Sequence, residues 1–208
     1  MAAAVRAKVL ASRDRFWRPE DFSDGSPGAV THALGRLARN GELYRIHRGL
    51  YWRGVPTPLG MAPPPASRLA SELAPFKGCG PASLSAALML GLTTQLPRRE
   101  SVAVPARAPA DRAALHFVSR ASATGRAPLR PAEVALLEVL RDWDTVVESP
   151  MEEATRRIAG LVESGDIRAG HVATASPTEP PKVRERLRTL LGNIGRPDLA
   201  ATVPPARS

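Results

Sequence analysis

The chain has 208 residues, 43% hydrophobic and 24% charged, a composition that predicts a globular fold of one generous domain or two small ones. Its 29 Lys and Arg against 20 Asp and Glu give a net charge of +9, a field that favours polyanionic partners. A single cysteine, Cys79, excludes an intramolecular disulfide and a cysteine-rich zinc site, and no apolar run approaches the roughly 18 residues that span a bilayer. With no signal-like apolar stretch in MAAAVRAKVL, the prediction is a cytoplasmic protein without membrane contact.

In chain order, residues 3–13 read as a first helix, with Val5, Val9 and Leu10 on one face and Arg6, Lys8 and Arg13 outside. Phe16 and Trp17 add apolar bulk. Arg18 to Phe22 then reads as a short second helix, with Pro19 in its first turn and acids suited to its N-terminal dipole. Ser23-Asp24-Gly25 is a turn. Ser26 caps a longer helix that opens on Pro27, carries Val30, Ala33, Leu34 and Leu37 at helical spacing, and stops at Asn40-Gly41. Two short segments follow, Leu43–Ile46 and Leu50–Trp52, joined by the basic turn His47-Arg48-Gly49 as a hairpin. Helix, short helix, turn, long helix and hairpin make a winged helix-turn-helix within residues 1–54.

The face of the long helix opposite its apolar stripe carries Gly28, His32, Gly35 and Arg39, with Thr31 and Arg36 at the flanks and no acidic residue anywhere on the helix. The hairpin adds Arg45, His47, Arg48 and Arg53. Residues 1–54 hold ten Lys/Arg against five Asp/Glu, so this quarter of the chain supplies +5 of the net charge. Small and cationic residues on such a helix fit the major groove, where Arg pairs with guanine edges, and a basic wing fits phosphates. The predicted DNA-binding set is therefore Ser26, Gly28, Thr31, His32, Arg36, Arg39, Arg45, Arg48 and Arg53, on double-stranded promoter DNA. A solvated basic helix packed on a hairpin is the plainer alternative. Tyr51 and Trp52 read as core rather than as base-stacking residues.

Residues 55–65, rich in proline and without periodicity, read as a linker. Helical character resumes at Ala66–Phe76 and again from Pro81 to Leu90, the latter nearly all apolar or small. Ser101–Val104 and Leu115–Val118 are candidate strands. Helices follow from Pro131 (Val134, Leu137, Val139, Leu140), over about Pro150 to Glu163, and over Pro181–Gly192, the last with Lys182, Arg184, Arg186 and Arg188 away from its apolar face. Residues 66–199 thus form a second domain, and 200–208 read as a disordered tail. The predicted class is α+β: an N-terminal winged helix-turn-helix, then a mostly helical mixed domain with a small sheet.

The run VTHALGRLARNGELYRIHRGLYW, preceded by PEDF, resembles the winged helix of AbiEi-type antitoxins, the antitoxin halves of bacterial toxin–antitoxin pairs. GPASLSAALMLGLTTQLP is similar to the segment that opens the second domain of those proteins, so the resemblance covers roughly residues 5–105. It implies a two-domain antitoxin that represses its own operon by promoter binding and counteracts a nucleotidyltransferase-like toxin, directly or indirectly. It also implies that Thr31, His32, Arg36, Arg39, Arg45 and Arg48 face DNA. The alternative reading is a stand-alone winged-helix repressor whose second domain dimerises or senses a ligand.

An enzyme would have to draw on Cys79 with His116 or His171 as thiol and base. Cys79 sits between glycines ahead of an apolar helix, the place of a small buried residue. The four histidines lack ligand spacing, and no phosphate-binding glycine loop or GxSxG turn is present. No catalytic residue, cofactor or metal is predicted.

Overall fold

The structure is a computed structural model that describes residues 1–112 and 114–206. Its architecture is α+β, as the sequence predicts, and the chain divides into two compact units, residues 1–69 and residues from 70 onward.

The first unit runs α1 (Ala2–Leu10), β1 (Arg15–Trp17), a 3-10 turn (Pro19–Asp21), α2 (Pro27–Arg39), β2 (Tyr44–His47) and β3 (Leu50–Arg53). The three strands form one antiparallel sheet in the order β1-β3-β2, which completes a winged helix-turn-helix topology. Val30, Ala33, Leu34 and Leu37 of α2 pack on Val5 and Val9 of α1 and on Trp17, Leu43 and Tyr51. At the start of α2 the Ser26 hydroxyl accepts the Ala29 N–H at 3.3 Å, and at its end Gly41 takes the left-handed conformation, φ +74°. β1 is the element the sequence hides: Phe16 and Trp17, read as loose apolar bulk, pair with Trp52 and Tyr51 of β3. The hairpin is also shifted by a residue from its predicted bounds, with only Arg48 and Gly49 left in the turn and Gly49 at φ +86°.

Residues 55–65 are not the linker predicted. β4 (Pro56–Thr57) pairs with β5 (Gly60–Met61), and the first unit extends beyond them. Three local features close this small hairpin despite its prolines. Thr57 donates its hydroxyl to the Gly60 carbonyl at 2.8 Å, and Gly60 adopts φ +108°. Met61 is buried, its sulfur accepting the Gly54 N–H at 3.2 Å.

α3 (Ala66–Leu73) straddles the division. The second unit continues with β6 (Gly80–Pro81), α4 (Ser83–Met89), β7 (Glu100–Val104), β8 (Leu115–Ser119), α5 (Pro131–Val146), α6 (Met151–Glu163), α7 (Ala169–Ala175), α8 (Pro181–Asn193) and α9 (Pro197–Thr202). The small sheet has the order β6-β7-β8, antiparallel then parallel. α5 is the central element, packed against β6, α4, α7 and α8. It is buried all round from Glu133 to Leu140, including both glutamates. The tail predicted as disordered over 200–208 is instead α9 followed by Val203, 1% exposed in the core; Arg207 and Ser208 lie outside the described residues. Val203 joins the core cluster, and Leu199 and Ala200 of α9 pack against it.

Candidate nucleic-acid interface

The outward face of α2 presents Gly28, His32, Arg36 and Arg39 as exposed residues, with Thr31 and Gly35 half-exposed between them. Thr31 turns its hydroxyl back onto the helix, donating to the Pro27 carbonyl at 2.7 Å. Beside Gly35 a β-carbon would meet Arg39 Nη1 and the Tyr51 hydroxyl at 3.8 Å each, which places the Arg39 guanidinium along the helix surface. Open space surrounds Gly28 on the side where a side chain would stand. Ser26 is committed to its cap.

On the wing, Arg45 is exposed opposite Tyr51, and the register shifts between Arg45 and His47. Such a bulge twists the hairpin toward its tip. Arg48 occupies the turn, where its carbonyl lies 2.7 Å from His47 Nδ1. Tyr51 and Trp52 are 2% and 1% exposed, as the core reading requires.

Several cations of the first unit are engaged by their own fold. Arg6 pairs with Glu42 at 2.8 Å, Lys8 donates to the Asp21 carbonyl at 2.8 Å, and Arg15 lies over the Trp17 ring at 4.2 Å. Arg53 belongs with these rather than with the wing tip. Its Nη1 reaches the Glu42 carbonyl at 3.5 Å and Met61 Sδ at 3.6 Å, and its buried Nε has no hydrogen-bond partner among the described residues. The side chains of Arg36, Arg39, Arg45 and Arg48, by contrast, make no hydrogen bond or ion pair among the described residues. Four guanidinium groups are thus left to solvent on one helix and its adjoining hairpin. Acids are absent from α2, and Glu42 just beyond it is held by Arg6. This arrangement offers uncommitted donors to an anionic surface of repeating charge.

Among the described residues no hydrogen bond joins Cys79 to a histidine; its thiol donates to the Ala74 carbonyl at 3.8 Å. Burial pushes the half-buried Cys79 thiol up from its usual range, against a smaller opposing effect of the Phe76 backbone, which disfavours a thiolate. His116 Nδ1 lies 2.9 Å from Asp111, whose carboxyl is lowered chiefly by that hydrogen bond, and His171 is exposed on α7. Among the described residues there is no cluster of three or more His, Cys, Asp and Glu that could hold a metal ion. Of the basic residues on α8, Lys182 and Arg186 both engage Asp144, at 3.5 and 2.5 Å, and Arg188 is exposed.

Sequence reasoning missed the charges buried in the second unit. Arg126, fully buried, grips Glu179 with Nε and Nη2 at 2.6 and 2.8 Å and Glu138 with Nη1 at 2.7 Å. Arg120 and Arg141 complete the cluster from its rim, at 2.8 Å to Glu138 and 2.9 Å to Glu179. Burial opposes the ionisation of Glu138, and the Arg120 and Arg126 guanidinium groups outweigh it, so its carboxyl stays below the usual range. A second pair joins Arg168 to buried Glu133, with 2.6 Å between Nε and Oε1.

Among the described residues no helix is long and apolar enough to cross a membrane. No family model matches the chain, and no curated protein matches it. Among solved structures the chain is similar to the RV2827C protein from Mycobacterium tuberculosis, with 19% identity over 97% of this chain and 80% of that one, at a TM-score of 0.58. At that identity the likeness is one of fold, and it extends over nearly the whole chain.

Proposed function

We propose that this chain is a cytoplasmic antitoxin that represses its own operon through promoter DNA and counteracts a nucleotidyltransferase-like toxin, without catalysing a reaction itself. The observation that carries the DNA half is the set of four unpaired arginines on α2 and the wing, Arg36, Arg39, Arg45 and Arg48. α2 would enter the major groove with Gly28, Thr31, His32, Arg36 and Arg39 toward base edges, while Arg45 and Arg48 meet phosphates. The antitoxin half is supported by the resemblance over residues 5–105. A gel-shift titration on the promoter of the chain's own gene tests the first half. Arg36→Ala and Arg39→Ala should each weaken binding about 5- to 150-fold, the equivalent of about 1–3 kcal/mol for a lost bidentate base contact. Unchanged affinity in both variants would remove α2 from the groove.

A stand-alone repressor that senses a ligand is a second reading, favoured by one observation. A cleft of about 430 Å³ opens in the second unit between α5, α6 and α8, with Leu140, Trp143, Met151 and Leu190 among its lining residues. The neighbouring reading frame separates the two. A co-transcribed nucleotidyltransferase-like gene supports the antitoxin, and an isolated gene supports the repressor.

A further inference from the structure

The cleft between α5, α6 and α8 holds about 430 Å³, within the range that takes a small organic molecule, and its three walls all belong to the second unit. Of its apolar lining, Leu140 and Leu190 are buried, whereas Trp143 is half-buried and Met151 is 57% exposed. A guest with an apolar body would take that surface out of water. One end of the cleft is fixed by Arg186 of α8, which donates from Nη1 to the Leu140 carbonyl at 3.0 Å and from Nη2 to Asp144 at 2.5 Å. It does so where α5 leaves helical geometry, at Asp142 with φ −110° and ψ 19°.

The polar groups of the lining decide what the guest carries. Thr155 and Thr189 have each given their hydroxyl proton to their own helix, at 2.7 Å to the Met151 carbonyl and 3.2 Å to the Glu185 carbonyl, so toward a ligand each only accepts. Arg186 is engaged as described, and Lys182, in the first turn of α8, lies 3.5 Å from the same Asp144 carboxylate. Glu185 differs from these charges: its carboxylate is exposed and makes no hydrogen bond or ion pair among the described residues. It stands one turn along α8 from Lys182 and one turn ahead of Thr189 and Leu190. Asn193, about two turns beyond Glu185, adds a neutral amide that both donates and accepts. A carboxylate guest would have to displace Asp144 from both cations, whereas an ammonium meets an unengaged carboxylate beside the apolar wall.

We propose that this cleft binds an organic amine, its ammonium at Glu185 and its apolar body against Trp143, Met151 and Leu190. Such binding gives the ligand-sensing repressor above its ligand class, and it needs neither a toxin nor DNA. Calorimetric titration of the whole chain with phenethylamine, phenethyl alcohol and hydrocinnamate tests it, since the three share an apolar body and differ in the end group.

Phenethylamine should bind about tenfold tighter than the alcohol, as a charge-assisted hydrogen bond does over a neutral one, and hydrocinnamate should bind weakest. Glu185→Gln should bring the amine down to the alcohol, with the melting temperature of the chain unchanged. Met151→Ser should weaken the amine and the alcohol alike, and Glu153→Gln, an exposed acid of α6 outside the cleft, should change nothing. The amine should also shift tryptophan emission, and Trp143→Phe should abolish that shift while calorimetric binding remains. Hydrocinnamate binding tighter than the amine, no binding by any of the three, or an amine preference that survives Glu185→Gln overturns the proposal. So does an emission shift that persists in Trp143→Phe, which places the guest elsewhere. A Met151→Ser chain that turns from dimer to monomer overturns it too, because the cleft then holds a second copy. Amine binding as expected, with promoter affinity indifferent to the amine, upholds the cleft and removes the ligand-sensing reading alone.

Discussion

Replacing Arg126 with methionine should be the most damaging single change in the second unit. Arg126 is fully buried and makes three charge-assisted hydrogen bonds of 2.6–2.8 Å to two equally buried glutamates. Arg126→Met removes the central cation and leaves Glu138 to Arg120 and Glu179 to Arg141, both only at the rim. Breaking a buried pair from one side costs about 3–5 kcal/mol, because a charge remains desolvated without its partner. At about 3 °C per kcal/mol for a unit of this size, the melting temperature should fall by about 10–15 °C. Differential scanning calorimetry of the whole chain reads this shift directly. Adding Glu138→Gln and Glu179→Gln to Arg126→Met should restore more than half of the loss, since the stranded charges are then gone. A single variant that melts within about 2 °C of the parent would refute the reasoning. So would a triple variant no more stable than the single one, which would trace the damage to lost packing rather than to charge.

The remaining predictions concern both units. Arg48→Ala should reduce the slope of log affinity for promoter DNA against log salt by about 1, as one phosphate contact does, while leaving sequence preference alone; a filter-binding series in potassium chloride reads it. Burial resists ionisation of Glu133, but hydrogen bonds from the Arg168 side chain and from the Arg130 and Arg168 backbone overcome it and hold the carboxyl at about 2, against an ordinary 4.5. Its contribution to stability is therefore present above about pH 4.5 and is lost as pH falls toward 2, and Glu133→Gln should flatten the urea midpoint over that window. Gly78→Ala should destabilise the second unit, since Gly78 has φ +77° and a β-carbon there would lie 2.3 Å from the Arg126 carbonyl oxygen; thermal melting against a Gly192→Ala control, where nothing lies nearby, checks it. Ser26→Ala should cost the first unit about 1 kcal/mol through the lost cap, visible as a lower urea midpoint.

The winged helix was readable because its signals are local. Ser26-Pro27, the spacing of Val30, Ala33, Leu34 and Leu37, and Asn40-Gly41 each fix a boundary or a face without reference to distant chain. The exposed cations of α2 follow from the same periodicity. β1 was not readable, because three residues are too few to show alternation and Phe16 and Trp17 become a strand only through Trp52 and Tyr51. The proline-rich segment misled for a related reason: a two-residue ladder needs few backbone donors, so Pro56 and Pro58 are tolerated where a longer strand would reject them. Arg53 shows the limit for the site, since only the folded hairpin reveals Met61 and Glu42 beside its guanidinium. Glu133 and Glu138 show it for the core. The apolar spacing of Val134, Leu137, Val139 and Leu140 says nothing of them, and their main cationic partners, Arg120, Arg126 and Arg168, come from outside the helix.

The spread of the Arg126 cluster along the chain has a consequence for synthesis. Its two acids lie 12 and 53 residues downstream of the arginine. During translation, Arg126 and Glu138 leave the ribosome well before Glu179 does, so a half-finished chain has to keep the guanidinium hydrated and the surrounding helices apart. Closure of the second unit therefore waits for its last third. A product stopped ahead of Glu179 would hold a cation it cannot bury, and quality-control proteases would meet it open.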